Sequence, residues 1–123
     1  MVTDRPDLSV VVLCYRSEDA IPNNVEELKV CLKELHIDWE IILVGNYLDG
    51  VEDRTPEIVR SIAAQDPKIK AISKKKEGMM GWDMKLGLEQ ANGHAIAVTD
   101  GDGQFPFEDI GRVYMKLLSG NLD

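Results

Sequence analysis

Four short apolar runs set the rhythm of this chain. Residues 8–15 (LSVVVLCY), 39–44 (WEIILV), 69–73 (IKAIS) and 95–99 (AIAVT) are each bounded by polar or chain-breaking residues. That is the pattern of strands buried on both faces of a parallel sheet. Stretches with helical spacing lie between them. Val25, Leu28, Leu32 and Leu35 make one apolar stripe, and Ile58, Val59, Ile62 and Ala63 make a second. Asn23 or Asn24 is the expected cap of the first helix, with Glu26 and Glu27 complementing the dipole and His36 a favourable charge at the far end. Thr55-Pro56-Glu57 opens the second helix. A flexible GMMG at 78–81 leads into a third over residues 82–91, which Asn92-Gly93 stops. A fourth helix is predicted over residues 108–118, ended by Ser119-Gly120.

Strands and helices therefore alternate, which predicts one α/β domain: a Rossmann-like open, mostly parallel sheet with right-handed crossovers and helices on both faces. The expected strand order is 3-2-1-4, with a switch point between the first and fourth strands. In such sheets ligands bind outside the carboxyl ends of the strands at that point. Tyr15 and Asp100 then flank one crevice.

The formal charge of −8 over 123 residues changes the list of partners. It argues against nucleic acid or an anionic membrane surface, both of which call for a basic patch. A phosphate ligand would need local help, from a metal ion or from helix N-termini. The run Lys74-Lys75-Lys76 reads as a solvated loop or, following a strand end, as a phosphate contact. Cys14 and Cys31 have no zinc spacing and read as small packed thiols of a reducing compartment. No signal peptide is legible, and no stretch approaches the roughly 20 apolar residues of a membrane span.

The fourth strand drives into AIAVTDGDGQFP, residues 95–106, where Asp100 and Asp102 are each followed by glycine. Hard-oxygen acids at a strand end suit Mg²⁺ or Mn²⁺, which bind through a few carboxylates plus substrate phosphate oxygens. Spacing alone equally allows two acids in an exposed glycine turn. A helix–loop–helix calcium loop fits badly, because its fifth, sixth and twelfth positions would be Gln104, Phe105 and Gly111. The glycine-rich phosphate loop, the dinucleotide fingerprint and the serine-hydrolase elbow are all missing.

Three stretches resemble the N-terminal half of family-two glycosyltransferases with the GT-A nucleotide-diphospho-sugar fold, and among them the polyprenol-phosphate mannose or glucose synthases. In SVVVLCYRSED, Tyr15 and Glu18 match an apolar strand followed by Pro-x-Tyr-Asn-Glu-Glu, with Leu13 in place of the proline and Arg16-Ser17 in place of Asn-Glu. In EIILVGNYLDGVEDRTPEIV, Gly45 and Asn46 stand where the family has two aspartates, so its base-contacting carboxylate is missing. The third stretch runs from GMMG to FEDI. Gly81, Lys85, Gly87, Ala91, Gly93, Asp100, Asp102, Gln104 and Pro106 fall in order on the family's glycine-rich helix entry and its extended Asp-x-Asp-x-Gln-x-Pro.

The resemblance implies that residues 1–123 form the nucleotide-sugar (donor) half of a glycosyltransferase catalytic domain, with the acceptor half absent. Asp100, Asp102 and Gln104 would hold Mg²⁺ or Mn²⁺ on the diphosphate of a GDP-mannose or UDP-glucose type donor. Tyr15 would flank the base or ribose, Asn46 would read the base edge through its amide, and Glu18, Gly81, Lys85 and Asp100 would complete the donor site. A general base is expected beyond the chain. The acceptor is expected to be a polyprenol phosphate, the location cytoplasmic or at the cytoplasmic face of a membrane through segments not present here. A half sheet favours a homo-oligomer. Two other readings compete: a non-catalytic oligomeric interaction module on a degenerate fold, and a nucleotidylyltransferase, disfavoured because the loop at 16–22 has no glycine.

Overall fold

β-branched and apolar residues at consecutive positions form the two central strands, β1 (Leu8–Leu13) and β2 (Trp39–Val44), every residue of which is buried. They lie at the centre of a parallel sheet that continues with β3 (Ile69–Ile72) and β4 (Ala95–Asp100), in the order β3-β2-β1-β4. These features come from a computed structural model whose described residues are 5–14, 18–50, 52–77 and 80–100. Three helices connect the strands: α1 (Ala20–Glu34), α2 (Thr55–Gln65) and α3 (Met80–Gln90). The expected α/β sheet with order 3-2-1-4 is thus the observed one. The helix expected over residues 108–118 lies outside the described residues.

Alternation along each strand divides the core in two. Leu8, Val10, Val12, Ile41 and Leu43 pack with Ile21, Val25, Leu28 and Leu32 of α1 and Val59 of α2. Val11, Leu13, Ile42 and Val44 form the opposite layer, where α3 lies. Each buried aliphatic side chain of this size contributes roughly 1.5–3 kcal/mol. The seat of α3 depends on Gly87, where a Cβ would stand 2.4 Å from Val11 Cγ1 and 3.1 Å from Val44 Cγ2. Only bare backbone lets the helix approach the sheet so closely.

The amino-terminal edge carries a buried polar latch. Ser9 Oγ donates to Glu40 Oε2 at 2.6 Å and accepts from Gly93 N at 2.7 Å. Glu40 also accepts from Asn92 N at 2.7 Å and pairs with Lys70 Nζ at 3.0 Å. The α3–β4 turn is thereby tied to both central strands. Burial pushes the Glu40 carboxyl up, but the bonds from Ser9, Asn92 and Lys70 outweigh it and leave the group below the usual carboxylate range.

Two local expectations need correction. α1 begins at Ala20, before Asn23 and Asn24, because Ile21 is buried and draws the first turn onto the sheet. Pro22 is tolerated there since first-turn N–H groups have no helical partner. Asn23 instead donates to Glu27 within the helix, and Asn24 is buried. His36, beyond the end of α1, adopts a left-handed φ of 54°, and its N–H donates to Lys33 O. It turns the chain out of the helix, a position glycine or asparagine usually takes.

Candidate functional site at the carboxyl edge of the sheet

β1 and β4 are hydrogen-bonded neighbours in parallel register, Leu8 opposite Ala95 and Leu13 opposite Asp100. The first acid of the Asp-x-Asp stretch therefore ends the strand beside β1, at the switch point of the sheet. Tyr15, Asp102 and Gln104 lie outside the described residues. Among the described residues no group of three His, Cys, Asp or Glu side chains could hold a metal ion. The expected donor set of Asp100, Asp102 and Gln104 is all hard oxygen, and its first member stands at the edge where such a set could meet a diphosphate. To that extent the residues fit a divalent ion.

Glu18 follows β1 with φ 32°. Its Oε1 accepts from Arg54 N at 2.8 Å, and its own N–H donates to Thr55 Oγ1 at 3.2 Å. Asp53 Oδ1 accepts from Thr55 N at 2.9 Å, and Asp19 pairs with Arg54. Glu18 thus ties the turn at residues 18–19 to the start of α2. Cys14, directly after β1, donates its N–H to Val44 O at 2.9 Å. Burial pushes its thiol up to about 12, so it stays protonated and serves as packing.

Gly45 and Asn46 extend β2, and the structure accounts for both departures from paired aspartates. A Cβ at Gly45 would meet Val59 Cγ2 at 2.7 Å and Thr55 Cγ2 at 3.3 Å, so α2 leaves no room for a carboxylate. Asn46 is 1% exposed. Its Oδ1 accepts from Lys74 N at 2.8 Å and its Nδ2 donates to Asp83 Oδ1 at 2.9 Å. The other Asp83 oxygen pairs with Lys76 Nζ. In this conformation the Asn46 amide is spent inside the protein, joining the tips of β2 and β3 to the first turn of α3. Tyr47 completes the joint: its N–H donates to Lys74 O at 3.0 Å, and its carbonyl accepts from Lys76 N at 2.7 Å.

Gly81 and Lys85 lie on exposed positions of α3, one turn apart. Asp83 was missed by sequence reasoning. The signal was its position four residues before Gly87, which puts both on the sheet-facing side of α3.

The family model described as "Glycosyl transferase family 2" matches residues 9–123. An undecaprenyl-phosphate 4-deoxy-4-formamido-L-arabinose transferase from Pectobacterium carotovorum is 33% identical over 122 residues, covering 98% of this chain and 36% of the relative. A low-salt glycan biosynthesis hexosyltransferase from Haloferax volcanii is 30% identical over 118 residues, covering 96% of this chain and 26% of the relative. The chain thus spans between about a quarter and just over a third of the length of these curated relatives. In structure it is similar to a mannosyltransferase from Pyrobaculum calidifontis solved with GDP-Man and Mn²⁺. That match has a TM-score of 0.62 at 23% identity, covering 87% of this chain and 30% of the other. At that identity the likeness speaks to the GT-A fold alone.

Proposed function

We propose a donor-binding role from one premise: this chain belongs to glycosyl transferase family 2. In this reading it is the nucleotide-sugar portion of an enzyme that transfers a glycosyl group from a nucleoside-diphosphate sugar to an acceptor. The observation that carries the proposal is the pairing of β1 with β4, which sets Asp100 at the switch point beside the segment leading to Tyr15 and Glu18. Asp100, Asp102 and Gln104 would hold the divalent ion, whose chemistry when bound is to offset the charge on the departing nucleoside diphosphate. The chain's own part is positional. Glu18 ties the turn at residues 18–19 to the start of α2, and the Asn46 cluster joins the tips of β2 and β3 to α3, on the edge where the donor would sit.

The acceptor we favour is a polyprenol phosphate, by analogy with the undecaprenyl-phosphate relative. Such a phosphate is already ionised near neutral pH and needs little help from a base. The reaction would then take place at the cytoplasmic face of a membrane. No helix among the described residues is long and apolar enough to cross one. Self-association is a further part of the proposal, supported by the exposed Ile96 and Val98 on β4.

Calorimetric titration with GDP-mannose, UDP-glucose, GDP and UDP, each with and without Mn²⁺, tests the reading. A metal-dependent heat with at least one of them is expected, and Asp102→Ala should weaken that binding by about tenfold or more. No metal-dependent heat with any of the four would overturn the proposal. A defined oligomer by light scattering would then favour the non-catalytic interaction module.

A further inference from the structure

We infer that Asp83 is a positioning residue of the donor site: from the first turn of α3 it supplies the carboxylate that the tip of β2 lacks, and through Lys76 and Asn46 it holds segment 74–76 as one wall of the nucleotide crevice. The inference rests on the donor-binding reading above. Its basis is a buried charge pair at the carboxyl edge. The side chains of Lys76 and Asp83 are only 8% and 6% exposed. An ammonium so far from water requires an anionic partner. Asn46, the polar side chain at the β2 tip, offers an amide, and its oxygen is already given to Lys74 N. Asp83 meets both needs at once. One oxygen takes the Asn46 N–H, and the other takes the Lys76 ammonium.

Stability is a weak reason for such a pair. Burying two charges carries a large desolvation cost, and well-packed apolar replacements are often neutral or stabilising. What the pair provides is a fixed place for one side chain and one loop. The two backbone bonds between Tyr47 and the 74–76 segment, one donated by Tyr47 and one accepted by it, carry β2–β3 pairing past the sheet at its carboxyl edge. A carboxylate at position 46 could hold Lys76 as well. In this chain Gly45 has no room for one and position 46 is an amide, so α3 delivers the charge instead.

Four proteins separate this role from a structural one: the wild type, Asp83→Asn, the exchange Asn46→Asp/Asp83→Asn, and the apolar replacement Lys76→Met/Asp83→Asn. Each is melted, then titrated with GDP and with UDP in Mn²⁺ well below its melting temperature. Asp83→Asn should lower nucleotide affinity by about tenfold or more. The exchange should recover most of that affinity, because the carboxylate returns from the β2 side. The apolar replacement should recover the melting temperature and leave nucleotide affinity low. Wild-type affinity in the apolar replacement, or in Asp83→Asn, would overturn the inference while leaving the donor reading intact. If wild type binds neither nucleotide, the donor reading falls and this inference falls with it. If Asp83→Asn fails to fold, the exchange and the apolar replacement decide the matter between them.

Discussion

Gly45 shows how one missing side chain can be forced by the packing behind it. Val59 Cγ2 stands 2.7 Å from where its Cβ would be, and Val59 is itself fully buried in the α1/α2 core. Restoring an aspartate there must push α2 away from the sheet, and it buries a charge. Gly45→Asp should therefore lower unfolding free energy by at least about 1–3 kcal/mol, the cost of overpacking alone. A urea titration reads this, and an unchanged midpoint would contradict the packing. The sequence displayed the absence of the acid at 45 but not its cause, because the obstructing residue comes from a helix that only the fold brings near. Asn46 was legible as an amide where the resembled family carries a carboxylate. Its actual partners, Lys74 and Asp83, lie 28 and 37 residues away, and no local pattern ties them together.

Elements were legible in proportion to how far burial alone fixes them. β2 is apolar at every position but Glu40, and its bounds match the sequence reading to the residue. The start of α1 was missed because its anchor, Ile21, precedes a proline and two asparagines that look like a helix boundary. α3 is the element on which the candidate site depends most. It carries Asp83 at one end and seats itself through Gly87 a turn later. Gly87→Ala would drive a methyl group against Val11 and Val44 and should cost about 1–3 kcal/mol. Because the displacement moves the whole helix, hydrogen exchange at the Tyr47 and Lys74 amides should rise together with the loss in melting temperature. Unchanged protection at the two amides would show that α3 is not what holds the joint.

At the scale of the molecule, pH sets the window in which these ties hold. Backbone and side-chain bonds from Lys68 and Lys29 depress the Asp66 carboxyl, and Glu40 is depressed by the latch around it. Depressed carboxyls stabilise the fold above their unfolded values, roughly pH 4, and that contribution is lost as pH falls through the lower folded values. The hydrogen bond to Asp66 raises Lys29, whose contribution is complete below its unfolded value near ~10.4 and is lost as pH rises through the folded one. The melting temperature should thus be flat around neutrality and fall on both sides. Glu40→Gln should make the acid limb shallower, and an acid limb identical to wild type would rule out Glu40 as its source. The strand order and both cores followed from alternation and burial, which act everywhere along the chain. Asp102, Gln104 and Tyr15 remain a matter of motif, since they fall beyond the described residues.

The tie from Ser9 and Glu40 to Asn92 and Gly93 has a further meaning for how this chain can change over time. It fixes the alignment of β4 from its amino-terminal end, opposite the carboxyl edge at which Asp100 ends the strand. In the donor-binding reading, the choice of sugar or base belongs to loops at the opposite rim, while the acid that ends β4 keeps its station. That reading assigns anchorage and selectivity to opposite ends of the same strand, so variation in one need not disturb the other.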